Sequence, residues 1–132
     1  MQYLLDTNVV IDILHNDQKV ASRYQIESVK GNEIVICPVV YYEVVRGFKI
    51  VDATRKFANF LRLYQNWQIL PFDMAATEKA IDIYVQLHKG QVIEDNDIYI
   101  AAIPMANDCT LVTANTKHFG RIENLKIVNW RE

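Results

Sequence analysis

Apolar residues fall along this chain in short unbroken runs. Each run is stopped by a polar cluster and followed by a stretch where apolar residues recur every three or four positions. Unbroken runs suit strands buried on both faces, and the longer spacing suits helices packed by one stripe. Gln2 to Leu5 is the first run, and Asp6-Thr7-Asn8 stops it before "VVIDIL" resumes. That triplet reads as a helix start, and His15-Asn16-Asp17 as its end. "QKVASRYQIESVK" has helical spacing up to Gly31-Asn32, and "EIVIC" is the second buried strand. Pro38 suits a first helical position, so "PVVYYEVVRGFK" predicts a helix with Gly47 near its end. "VDATRKFANFLRLYQN" carries a helical apolar stripe, and "WQILPF" reads as a strand closed by Pro71. "DMAATEKAIDIYVQLHK" predicts a helix capped by Asp73, and "EDNDIYIAAIPMA" another whose acidic start suits a helix N-terminus. "TLVT" is a further strand, "NTKHFGRI" a loop or short helix, and "LKIVNW" the last strand.

Strands alternating with helices, and apolar throughout, predict an α/β fold with a parallel sheet covered on both faces. In such sheets ligands bind beyond the carboxyl ends of the strands, where strand order reverses. Candidate chemistry therefore belongs just after each strand. A length of 132 residues fits one domain, and no repeat or linker interrupts it.

Composition narrows the function classes. A net charge of -2 gives no global attraction to polyanions, so a nucleic-acid binder would need a local basic patch. No apolar stretch reaches the roughly 18 residues of a membrane span, and Asp6 interrupts the one candidate signal region. Cys37 and Cys109 lie far apart inside apolar runs, which predicts buried reduced thiols and a cytoplasmic location.

Asp6 directly follows the first strand, Glu43 lies in the helix after the second, and Asp95 and Asp97 open "DNDIYIAAI". Asn115 stands just past "TLVT". Taken singly, Asp6 reads as a cap, Glu43 as a partner of Arg46 or Lys49, and the Asp95/Asp97 pair as first-turn acids. Asn115 alone reads as a turn former. Taken together they gather at one edge of the sheet in mostly apolar surroundings, where an uncompensated carboxylate is costly. A bound cation is the natural partner, and hard oxygen ligands suit Mg²⁺ or Mn²⁺. His15, His88 and His118 show no metal-triad spacing, and neither a phosphate loop nor a nucleophile elbow is present. Tyr41 and Tyr42 are expected in the core or at a protein interface.

"LLDTNVVIDIL", "YYEVVRG", "DNDIYIAA" and "TLVTANTKHFGRIENLKIVNW" resemble the successive motifs of PIN-domain ribonucleases, and more narrowly of VapC-type toxins from bacterial toxin–antitoxin pairs. The resemblance covers nearly the whole chain. It implies a single PIN domain over 1–132, with a three-layer α/β/α fold and a central, mostly parallel sheet of about five strands. It implies an Mg²⁺- or Mn²⁺-dependent endoribonuclease hydrolysing RNA phosphodiester bonds. Asp6, Glu43 and Asp97 match the family's first three acids and so the catalytic and metal-binding set. Thr7, Asn8, Thr113 and Asn115 match the polar residues that orient ligands or waters. Many members carry a carboxylate where Asn115 stands, and Asp95 is the candidate for the charge that an amide does not add. Arg46, Lys49, Lys117 and Arg121 are the candidate RNA-binding cations. The resemblance also implies a VapB-like antitoxin partner and a homodimer, with no membrane association. The alternative is a catalytically weak or inert PIN-like binding module, for which Asn115 argues best. Pro104 lies inside an expected helix and should cost it one hydrogen bond and bend it.

Overall fold

The computed structural model describes residues 1–90 and 92–132. β1 (Gln2–Leu5) leads into α1 (Thr7–Leu14) and α2 (Gln18–Val29), and β2 (Glu33–Ile36) into α3 (Pro38–Ile50) and α4 (Thr54–Tyr64). β3 (Gln68–Ile69) precedes α5 (Met74–Leu87) and α6 (Asp95–Ala106). β4 (Thr110–Val112), the short α7 (Thr116–Phe119) and β5 (Ile127–Val128) follow.

The strands form one five-stranded parallel sheet in the order β3-β2-β1-β4-β5. Tyr3 is paired with Ile34 on one side and Thr110 on the other, and Leu5 with Val112. From β1 the chain steps one way to β2 and β3, then crosses back to β4 and β5. Right-handed crossovers therefore place α1 to α4 on one face and α5 and α6 on the other, giving three α/β/α layers. Leu4, Leu5, Val35, Ile36, Leu111 and Val112 are all wholly buried, which is why the central strands carry no polar alternation.

The starts and stops follow the local chemistry. Asp17 and Asp73 accept hydrogen bonds from the backbone of Val20 and Ala76, capping α2 and α5. Pro38 opens α3, and Gly31 at φ +83° releases the chain from α2 into β2. The edge strands are shorter than their apolar runs. Pro71 has no amide hydrogen to continue β3, although Leu70 N still donates to Ile36 O, and Trp67 and Leu70 pack in the core. α4 starts at Thr54 rather than near Val51 because Asp52 takes a positive φ of 52°.

Pro104 sits inside α6, which nevertheless runs on to Ala106. The proline removes the hydrogen bond that its own nitrogen would have made, and the Asn107 side chain takes up the Ile103 carbonyl beyond it. Among the aromatic residues, Tyr41 packs against Phe60 and Tyr64 as expected. Tyr42 does not join them: it is 55% exposed, with the Arg46 guanidinium 4.8 Å from its ring centre. Cys37 and Cys109 are buried free thiols, which burial pushes up to about 11 and about 12. At the amino edge of the sheet Glu27 is buried. Burial alone would raise its carboxyl, but hydrogen bonds from Arg23 and Asn32 outweigh that and hold it below the usual range.

Candidate functional site

The strand order reverses at β1, so the crevice between the carboxyl ends of β1 and β4 is the switch point where such sheets bind ligands. Asp6 leaves β1 there and Thr113 leaves β4. The Asp6 amide continues the sheet by donating to Val112 O at 2.9 Å, which fixes the backbone that carries the carboxylate. Its Oδ1 accepts from the Thr7 amide at 2.8 Å, and its Oδ2 from the Thr113 hydroxyl at 2.8 Å. Asp6 is only 6% exposed. Burial raises its pKa most, the two hydrogen bonds pull it back, and the nearby Glu43 charge raises it again.

Glu43 projects from α3 beside Asp6. Its Oε1 accepts from the Thr7 hydroxyl at 2.6 Å and its Oε2 from the Asn96 amide at 3.3 Å. Arg46, one helical turn on, comes to 3.9 Å from the same Oε2. Asp97 enters from the first turn of α6. Its carboxyl is pushed up to about 6, first by burial and then by the charges of Asp6, Glu43 and Glu94, while His118 draws it down. Three acids from three separate elements thus share one electrostatic field.

On the β4 side, the Thr113 hydroxyl that donates to Asp6 also accepts from the Asn115 amide at 3.0 Å. The Asn115 side-chain nitrogen lies 2.9 Å from His118 Nδ1. A continuous string therefore runs from Glu43 through Thr7, Asp6, Thr113 and Asn115 to His118.

Two of the expected residues are exposed. Asp95 does not turn toward the acids. Residues two apart on a helix point about 200° away from each other, so with Asp97 facing Asp6, Asp95 faces out. It is exposed and lines a cleft with Phe72, Tyr84 and Tyr99 between α5 and α6. Asn8 is also exposed in the first turn of α1, while Thr7 holds both Asp6 and Glu43. Glu94, Asn96 and His118 do adjoin the acids, although the sequence offered no spacing signal for them.

Among the cations, Arg46 lies beside Glu43, Lys49 lies 5.7 Å from the Phe57 ring centre, and Lys117 is exposed on α7. Arg121 is half-buried, and its carbonyl accepts from Gln86. Among the described residues, no three acidic, histidine or cysteine side chains stand close enough to hold a metal ion as they are. Like charges repel, and Thr7 and Thr113 hold the Asp6 and Glu43 oxygens in hydrogen bonds. The donor set is nonetheless one that fits a hard divalent cation: carboxylate oxygens in a shared, partly desolvated field. No helix among the described residues is long and apolar enough to cross a membrane.

Residues 3–125 match the model of the PIN domain. The chain is 31% identical to "Ribonuclease VapC2" of Rickettsia felis, covering 98% of both chains. It is 26% identical to "Ribonuclease VapC1" of Haemophilus influenzae strain R2866, again over 98% of each. Among solved structures it is similar to the VapBC2 complex of R. felis bound to a fragment of promoter DNA. The TM-score there is 0.88 at 28% identity, covering 98% of this chain and 99% of that one. It is also similar to VapBC-1 of nontypeable H. influenzae, with TM-score 0.87, 25% identity and full coverage of both chains.

Proposed function

The chain belongs to the PIN domain family, and from that premise we propose that it is a divalent-metal-dependent endoribonuclease acting as the toxin of a toxin–antitoxin pair. One observation carries the proposal: Asp6, Glu43 and Asp97, from three different elements, meet at the switch point of a parallel sheet, where the Glu43 charge raises the carboxyls of Asp6 and Asp97. A fold maintains such a cluster at a cost in stability, and cation binding offsets that cost. The names of its relatives as ribonucleases support the reaction class.

Asp6, Glu43 and Asp97 would hold the cation, Mg²⁺ or Mn²⁺, which when bound would polarise the scissile phosphate and lower the pKa of an attacking water. The remaining residues do the positioning. Thr7 fixes Asp6 and Glu43 relative to each other with one amide and one hydroxyl. Thr113 fixes the other Asp6 oxygen from the far side of the crevice. Asn96 and Arg46 hold the second Glu43 oxygen. A carboxylate with defined hydrogen bonds presents its remaining lone pairs in one direction, which is what ordered metal and substrate geometry requires. The acids repel RNA phosphates, so substrate binding falls to cations at the rim. Arg46, 3.9 Å from Glu43, is one of these, and Lys49, Lys117 and Arg121 are the other candidates.

We read residues 1–132 as one PIN domain working in the cytoplasm. The partner suggested by the related complexes is a small VapB-like antitoxin. Exposed apolar side chains at Met74, Ile81, Tyr84 and Val85 along α5 and at Tyr42, Ile50 and Val51 on and after α3 suit contacts with it and with a second copy of the chain. Sedimentation at micromolar concentration is expected to show a dimer, and a concentration-independent monomer would remove that part of the reading.

The competing reading is an inert binding module, favoured by Asn115 in place of a carboxylate. RNA cleavage in Mg²⁺ or Mn²⁺ that disappears in Asp6→Asn and Asp97→Asn supports the enzyme. Firm RNA binding without cleavage under either metal supports the module.

A further inference from the structure

We infer that His118 is a substrate-contacting residue of this site, its Nε2–H donating a hydrogen bond to the RNA phosphate. The inference rests on the endoribonuclease reading above. Three observations converge on it. The ring is tied through Asn115 and Thr113 to the buried Asp6 carboxylate, so its position is set by the same string that sets the acid. It is half-buried rather than extended into solvent like its neighbour Lys117. It also lies within electrostatic reach of the Asp97 carboxylate, which places it on the side of the acids.

The chemistry gives the ring its role. Asp6, Glu43 and Asp97 are acceptors when ionised, and a phosphodiester brings only more acceptors. Of the groups in the string, Thr7, Thr113 and the Asn115 backbone amide already spend their hydrogens on one another and on the acids, and the Asn115 side chain gives one of its two to the ring. Asn115 occupies the ring at Nδ1. A neutral imidazole accepting there carries its hydrogen on Nε2, and a protonated ring donates from Nε2 as well. Asn115 is thus a positioning residue for His118, and the amide at this corner has a use that a carboxylate would not share in the same way. His118 thus adds a ring N–H donor on the side of the acids, where a phosphate oxygen can accept it.

The test combines spectroscopy with kinetics. Nitrogen NMR of the histidine-labelled protein in EDTA is expected to show His118 protonated at Nε2, with that resonance shifting when a short unstructured oligoribonucleotide is added. His118→Ala should lower kcat/KM for RNA cleavage in Mn²⁺ by at least about tenfold, the usual cost of one hydrogen bond to a charged group. His118→Gln, which keeps an N–H donor, should recover most of the loss. Mn²⁺ affinity and the melting temperature of both variants should match the parent. A neutral ring protonated at Nδ1, no RNA-induced shift, parental cleavage by His118→Ala, or a loss of Mn²⁺ affinity in that variant would each overturn the donor role. If Asp6→Asn and Asp97→Asn abolish cleavage while His118→Ala does not, the donor role fails and the ribonuclease reading stands. If the parent itself does not cleave, the ribonuclease reading fails, and the RNA-induced shift at Nε2 alone decides whether His118 contacts RNA.

Discussion

Thr113 shows how much of this site depends on groups that carry no charge. Its hydroxyl is wholly buried, donates to Asp6 and accepts from Asn115, so one side chain couples both walls of the crevice. Thr113→Val keeps the shape and removes both bonds. It is expected to lower cleavage by about 10- to 100-fold, as loss of a supporting partner does at metal sites, with the fold intact by circular dichroism. Cys37 and Cys109 provide a contrasting check. Burial holds both thiols far above neutral pH, so thiol reagents at pH 7 should label neither until the protein is denatured. Asp6, Glu43 and Asp97 were legible as strand-end and helix-start acids because that position is written in the apolar pattern. Glu94, Asn96 and His118 were not legible, because nothing local marks a side chain that meets the acids only after β1, β4 and α6 come together.

At the scale of elements, helix geometry decides which acid faces the crevice. The resemblance matches Asp97 to the third acid and leaves Asp95 as the candidate for an added charge, and the turn of α6 sends them to opposite sides: Asp97 to the crevice and Asp95 to the α5 cleft. Asp95→Asn should therefore cleave within about twofold of the parent, while Asp97→Asn should not cleave, as measured with the same RNA. Exposed substitutions of this kind rarely perturb a fold. The α2 helix makes a separate prediction about pH. Glu27 has a folded pKa below its ordinary 4.5, so the stability it adds is present above that value and is lost as pH falls through the lower folded value. Glu27→Gln should cost about 1 kcal/mol at pH 7, with the gap in urea midpoint between parent and variant closing as pH falls below 4.5 and through the lower folded value. The central strands and most helices could be read directly from the spacing of apolar residues. The edges of β3 and β5 could not, since pairing there ends at the sheet boundary while the apolar run continues into the core.

For the whole molecule, the parallel topology makes the chemistry local. Because β1 sits in the middle of the order β3-β2-β1-β4-β5, its carboxyl end meets the helices of both faces, and acids distant in sequence reach one crevice. That convergence was foreseeable from the fold class, whereas the string from Glu43 to His118 required the folded chain. The C-terminal residues reinforce the frame: Trp130 packs edge-on against Tyr3 of β1, and Arg131 pairs with Asp12 of α1 at 2.7 Å. The most direct test of the central claim is cleavage of a labelled single-stranded RNA by the purified chain, with Mg²⁺ or Mn²⁺ and with EDTA, beside Asp6→Asn and Asp97→Asn. Internal cleavage is expected that requires the metal and falls at least about 100-fold in either variant. Cleavage that survives both EDTA and the two substitutions would contradict it, as would tight RNA binding with no cleavage under either metal.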